Sequence, residues 1–252
     1  MRYIYEGAVY TDAGKKNNED SKLLRRAGRC FAAIIADGVG GLDAGEIASG
    51  YTVKALSKWF DQVQESLPVL PIDEIQAEMN RVVMRIHEDL LDISEEEGRR
   101  FGSTLTFALL TREEYLIAQV GDSRAYIYEE GSVSCITEDQ TVAEYERKSG
   151  CVIQGVDEAK KEHTLLQCLG QREIKPVYYK GFLPKEYQFL VCSDGLSNTL
   201  TNRIIARTLE KPLVCKEALQ ELTNISRGNG EGDNITSVLV RRSAMVEEET
   251  HA

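Results

Sequence analysis

The sequence predicts an α+β fold in which antiparallel sheets carry segregated helices, and three observations predict it. Segments of strand character come in runs instead of alternating singly with helices. Two long stretches of helical periodicity stand side by side between residues 44 and 97. Short polar or glycine-containing turns separate successive strands, a spacing that favours hairpins over parallel crossovers.

In chain order, Tyr3 to Thr11 mixes aromatic and β-branched residues and turns at Asp12-Ala13-Gly14, which reads as a strand. A polar loop, Lys15 to Asp20, follows. Phe31 to Ala36 is a continuous apolar run of strand length that stops at Asp37-Gly38-Val39-Gly40-Gly41. The period then becomes helical from Ala44 to Val63, with Asp43 as N-cap. A second helix, capped by Asp73, carries the stripe Ile75, Met79, Val82, Val83, Ile86, Leu90 and Ile93 and ends at Glu95-Glu96-Glu97-Gly98; His87 falls on its polar face. Ser103–Leu110, Tyr115–Val120, Ala125–Tyr128 and Ser132–Ile136 read as strands, and residues 139–172 as helical pieces on the surface. Strands are expected over Val177–Phe182, Gln188–Cys192 and Ile235–Val240, and helices over Leu196–Leu209 and Leu213–Ile225. No repeat or linker interrupts residues 1–242, read as one domain, and residues 243–252 with Glu247-Glu248-Glu249 read as a solvated acidic tail.

Composition removes several function classes. Over 252 residues, 30 Lys and Arg against 41 Asp and Glu give a net charge of −11, a field that repels nucleic acid and anionic lipid. Arg99-Arg100 and Lys160-Lys161 are too small to reverse it. No stretch has the length and apolarity of a membrane span or signal peptide, and six cysteines without a Cys-x-x-Cys pair read as free and buried, so a cytoplasmic location is expected. With only His87, His163 and His251 present, histidine-ligated zinc and Ser/His/Asp catalysis are poor fits. Gly-x-Gly-x-x-Gly is completed nowhere and no Gly-Lys-Ser/Thr occurs, which removes dinucleotide folds and P-loops.

What remains is a pattern of acids at strand ends. Asp37 follows Phe31–Ala36, Asp122 follows Ile117–Val120, and Asp194 follows Phe189–Cys192; Asp233 precedes the last strand and Asn18-Glu19-Asp20 forms another acidic loop. Any one Asp-Gly is simple turn chemistry. Converging carboxylates without matching bases would repel one another, and hard divalent cations relieve that. Oxygen-only ligation suits Mg²⁺ or Mn²⁺, and two such ions bridged by a carboxylate would polarise a water to hydroxide for attack on a phosphoryl group, with no side-chain nucleophile.

Six motifs in order, Asn18-Glu19-Asp20-Ser21, Ala36-Asp37-Gly38-Val39-Gly40-Gly41, Gly102-Ser103-Thr104-Leu105, Gly121-Asp122-Ser123-Arg124-Ala125, Cys192-Ser193-Asp194-Gly195-Leu196 and Asp233-Asn234-Ile235-Thr236, resemble those of metal-dependent Ser/Thr protein phosphatases of the 2C type, in a bacterial-like form. The resemblance spans about residues 7 to 240. It implies an α/β/β/α sandwich of two antiparallel sheets flanked by helices. It implies that Asp37 bridges two metals with the Gly38 carbonyl, that Asp194 and Asp233 complete one metal, and that Glu19 holds the other directly or through water. Asp122 matches the position of a more weakly held third ion, while Asp20 and Asn234 would orient the ligands. Ser103 and Thr104 would be structural. Phosphorylated proteins are the implied substrates and an opposing Ser/Thr kinase the implied counterpart.

The chain departs from the family at three places. Val39 stands where many eukaryotic relatives carry a histidine proposed to protonate the leaving alkoxide. Lys15, with Lys16 beside it, replaces a phosphate-holding arginine and loses its bidentate fork. Gln140 replaces a histidine just before the variable flap segment, in which His163 is read as a lone surface residue. The expected activity is hydrolysis of phosphoserine and phosphothreonine; the alternatives are a non-catalytic binding or sensory module, against which the full set of acids argues, and a hydrolase of small phosphate esters.

Overall fold

The computed structural model describes residues 2–14, 17–39 and 45–245. Two five-stranded antiparallel sheets stack face to face. The first has the order β1 (Tyr3–Asp12), β12 (Ile235–Ala244), β11 (Tyr187–Cys192), β8 (Arg124–Glu129), β9 (Ser132–Cys135). The second has the order β10 (Val177–Phe182), β7 (Glu114–Val120), β6 (Leu105–Leu110), β3 (Cys30–Ala36), β2 (Ser21–Ala27). A two-residue ladder joins β4 (Gly38–Val39) to β5 (Gly102–Ser103).

Strand alternation builds the layers. Along the fully buried β3, Phe31, Ala33 and Ile35 face the other sheet, where they meet Phe189, Val191, Val238 and Val240. Ala32, Ile34 and Ala36 point the opposite way, onto Leu56, Trp59 and Phe60 of α1 (Gly45–Val63) and Met79, Val83 and Ile86 of α2 (Ile72–Glu97). On the far side, Leu190, Cys192 and Leu239 pack under α4 (Asp194–Ser197), α5 (Asn202–Leu209) and α6 (Cys215–Gly228). Helices, sheet, sheet, helices is the α/β/β/α sandwich that the motifs imply.

Several expectations are corrected. β2 went unread because Ser21-Lys22-Leu23-Leu24-Arg25-Arg26-Ala27 lies at a sheet edge, where one side needs no apolar alternation. α2 starts at Ile72 behind Pro71, whose fixed φ of −60° suits a helix entry; Asp73 sits in the first turn, near the positive end of the helix dipole, instead of capping it. The strand expected over Ser103–Leu110 breaks at Thr104, and the helix over Leu196–Leu209 breaks before Thr201, whose hydroxyl caps α5. β12 runs to Ala244, into the stretch read as tail, because Tyr3 and Ile4 pair with Ala244 and Ser243. Cys135 and Cys151 are exposed, while the other four cysteines are buried and all six are free. The Asp43 cap, the tail beyond Met245, Lys15 and Lys16 lie outside the described residues.

Candidate functional site

The acids of the sequence pattern meet at one end of the sandwich because antiparallel neighbours present their ends together. A cleft of about 1260 Å³ is lined there by Glu19, Asp37, Asp122, Asp194 and Asp233, with the Gly38 backbone beside them. Asp37 is placed by its backbone: its N–H donates to Thr104 Oγ1 (3.0 Å) and its carbonyl accepts from the Thr104 N–H (2.8 Å). The break between β5 and β6 at Thr104 makes this clamp. Gly38 then runs so close to the start of α1 that a Cβ on it would lie 2.3 Å from the Gly45 carbonyl carbon, so only glycine fits.

The acidic loop is pinned with equal care. The Glu19 carbonyl accepts from the Gly38 N–H (3.1 Å) and from Ser49 Oγ (2.6 Å), and the Glu19 N–H donates to Asn234 Oδ1 (2.9 Å). Asn234 Nδ2 donates in turn to the Ala13 carbonyl. Ser193 joins three elements: its N–H donates to the Thr236 carbonyl, its hydroxyl accepts from the Thr236 N–H, and the same hydroxyl donates to Asp20 Oδ2 (3.0 Å). Asp194 Oδ2 accepts from Asn198 Nδ2 (3.1 Å).

Electrostatically the cluster is unbalanced. Burial first, then the neighbouring carboxylates of Asp20, Asp194, Asp122 and Asp233, push Asp37 well above the usual carboxylate range. Asp122 is pushed up to about 8 by burial, then by Asp194 and Asp139. Asp20 rises to about 6, mainly through burial, and its Oδ1 is buried with no hydrogen bond. Asp194 is raised by burial and by Asp233. Such a set destabilises itself unless positive charge compensates it. The donors, carboxylate oxygens plus a backbone carbonyl, suit a hard divalent cation in kind. Among the described residues no three His, Cys, Asp or Glu side chains form a ready-made cage.

Four residues important to this geometry carried no assigned role in the sequence, or a different one. Arg227 donates to the carbonyls of Asp12, Glu231 and Asp233, tying the first turn to the last acidic loop. Gln140 Oε1 accepts from the Gly121 N–H (2.7 Å) and from Gln167 Nε2 (2.7 Å), anchoring the segment before α3 (Val142–Ser149) and the one after it beside Asp122. His163 lies on the cleft wall with Nδ1 3.8 Å from Asp194 Oδ2, so it is not an isolated surface residue. His87 is buried, not on a polar face: it shares the Val83 and Leu90 side of α2, and its Nδ1 accepts from the Gly170 N–H (3.1 Å). Helical periodicity alone could have shown that alignment.

Burial holds the His87 pKa below its ordinary value, with Glu88 and the Arg172 backbone acting in the opposite direction. The unfolded chain therefore takes up a proton near pH 6.5 before the folded one does, and stability falls as pH drops through that region. Thermal melts of the parent and of His87→Gln should diverge below pH 6.5, the parent losing more. Parallel curves would show that the Gly170 contact does not depend on a neutral imidazole.

Comparison with known proteins agrees with this arrangement. Residues 11–239 match the protein phosphatase 2C family. The serine/threonine phosphatase stp of Listeria innocua is 28% identical over 246 residues, covering 93% of this chain and 95% of the relative. The structure of the S. agalactiae serine/threonine phosphatase superposes with a TM-score of 0.84 at 26% identity, covering 94% of this chain and 99% of that one. The catalytic domain of the serine/threonine protein phosphatase PstP, solved in complex with two manganese ions, superposes with a TM-score of 0.78 at 27% identity, covering 96% and 100%. With residues 11–239 matched to that family and its acids gathered at one cleft, the chain belongs to the protein phosphatase 2C family.

Proposed function

We propose that this protein phosphatase hydrolyses phosphoserine and phosphothreonine on proteins at a centre of two Mn²⁺ or Mg²⁺ ions, held by Glu19, Asp37, the Gly38 carbonyl, Asp194 and Asp233, with Asp122 serving a weaker third. The observation that carries the reading is the recessed Asp37 carboxyl, ringed by four other acids from separate strand ends and facing an open cleft. Divalent ions bound there would activate water and draw charge from the phosphoryl oxygens. The chain's own residues set the stage. Thr104 fixes Asp37, Asn234 and Ser49 fix the Glu19 backbone, and Ser193 orients Asp20. Val39 has no proton to give a leaving alkoxide; water at the ion centre would supply it. Lys15 or Lys16, adjoining Asn18-Glu19-Asp20 in sequence, would hold a phosphate oxygen.

The counterpart of such an enzyme is a Ser/Thr kinase, and a cytoplasmic site of action fits the free cysteines. No described helix is long and apolar enough to cross a membrane. Metal-stripped protein should be inert toward a phosphothreonine peptide and regain turnover with Mn²⁺. Turnover of an aryl phosphate alone, with the peptide untouched, would favour the small-ester reading; turnover of the peptide in excess chelator would remove the metal from the account.

A further inference from the structure

The cleft extends well beyond the acids. Its volume exceeds the roughly 300–1,000 Å³ of small-molecule sites, and its second half is walled by the end of α2, by Gly98-Arg99-Arg100 and by the segment 163–172. On this wall stand Arg99, Arg100 and Arg172, the only Lys or Arg side chains among the described residues lining the cleft. All three are exposed, and none forms an ion pair or side-chain hydrogen bond among the described residues. Glu95 is the one carboxylate among the described residues lining that half of the cleft, with Glu96, Glu97 and Glu173 adjoining that lining in sequence. In a chain of net charge −11, three arginines without a side-chain partner among the described residues give this wall of the cleft a positive lining beside a bed of acids.

Their placement is built into the fold. Gly102 and Ser103 pair with Val39 and Gly38, which fixes the chain just after Arg100 against the acid end. The Ser103 N–H donates to the Leu169 carbonyl and the Leu169 N–H to the Ser103 carbonyl, while buried His87 accepts the Gly170 N–H, so the stretch leading to Arg172 is held from two sides. Arg172 itself adopts φ 56°, a left-handed conformation uncommon for a residue with a side chain.

From these observations we propose that Arg99, Arg100 and Arg172 form a subsite for an acidic residue or a second phosphate flanking the phosphorylated Ser or Thr of the substrate. The inference rests on the phosphatase reading above and names the substrate class. Thr104, which clamps Asp37, lies four positions after Arg100, so their Cα atoms are at most about 14 Å apart. An extended peptide covers that distance in about four residues, and an arginine side chain shortens it, which places the recognised charge two to four residues from the phosphorylated one. Planar guanidinium groups match carboxylate and phosphate oxygens in pairs, so neutral flanks would leave these donors to water alone.

The test is steady-state turnover, with Mn²⁺, of three phosphothreonine peptide sets carrying Glu, Gln or Lys two to four positions away on either side, alongside an aryl phosphate. The Glu set should exceed the Gln set in kcat/KM by about tenfold at low salt, with the Lys set lowest and the spread shrinking as salt is added. In Arg99→Ala/Arg100→Ala/Arg172→Ala the ratio of Glu to Gln should fall to about one, and Arg100→Glu should lower it below that of the parent. Equal turnover of all three sets by the parent protein overturns the subsite while leaving the phosphatase reading intact. An unchanged ratio in both variants overturns it as well, since the preference would then reside elsewhere. Failure of every substrate, aryl phosphate included, would remove the phosphatase reading and the subsite together.

Discussion

Asp37→Asn is expected to lower phosphopeptide turnover by roughly three orders of magnitude while making the metal-free protein more stable at neutral pH. The two effects have one cause. Asp37 is buried, and the charges of Asp20, Asp194, Asp122 and Asp233 act on it, so its pKa is raised well above the ordinary carboxylate range. A carboxyl whose folded pKa is raised favours the folded state only while both states are protonated, and that stability is lost as pH rises through the folded value. At pH 8 the unfolded residue is ionised, so folding must either bury that charge among the other acids or take up a proton, and a neutral amide avoids both costs. In excess chelator the melting temperature of Asp37→Asn should exceed that of the parent at pH 8, and the gap should close toward pH 4. Equal melting temperatures at pH 8 would show that the cluster is not strained. Retained activity would show that it is not the reaction centre.

Gly195→Ala is expected to cost about a hundredfold in kcat/KM and about 1–3 kcal/mol of stability, although it adds a single methyl group. A Cβ at position 195 would lie 2.1 Å from the Asn234 carbonyl oxygen, and backbone cannot swing aside as a side chain can. The strand ends carrying Asp194 and Asp233 would have to separate, and Asn234 would be pulled from the Glu19 N–H that it now accepts. Gly7→Ala is a suitable comparison: its one tight Cβ contact is Leu24 Cδ2 at 2.7 Å, the mobile end of a side chain, while the nearest backbone atom, the Leu239 carbonyl oxygen, lies at an ordinary 3.6 Å. Denaturant unfolding and kinetics on both variants check the contrast. A Gly195→Ala protein with parental kinetics would mean that the acid positions tolerate the shift.

Where the chemistry is written in residue types at strand ends, it was legible before any coordinates. Asp37, Asp122, Asp194 and Asp233 each follow or precede an apolar run because a carboxylate is poorly tolerated inside a buried strand, and the structure gathers them with Glu19 at one cleft. The antiparallel sheets were legible in strands that come in runs, whereas the four-layer sandwich followed only from the resemblance of the motifs; β3, β6 and β11, buried along their whole length, need cover on both sides. What stayed hidden depends on partners distant in sequence. His87 looked solvated among Arg85, Glu88 and Asp89, yet its face is decided by Gly170, eighty-three positions away. His163 gave no sign that it would approach Asp194, and Arg227 none that it would gather three carbonyls. β2 was missed because an edge strand lacks the two-sided burial that makes a pattern.

The central claim is that these acids are a binding place for two divalent cations, and calorimetric titration of metal-stripped protein with MnCl₂ at pH 7.5 tests it most directly. Raised carboxyl pKa values mean that ion binding must expel protons, so the heat should depend on the ionisation enthalpy of the buffer. The account predicts two tight sites per chain with such proton release, both lost in Asp37→Asn. Absence of saturable Mn²⁺ binding by the parent protein, or two sites that persist unchanged in Asp37→Asn, would contradict it.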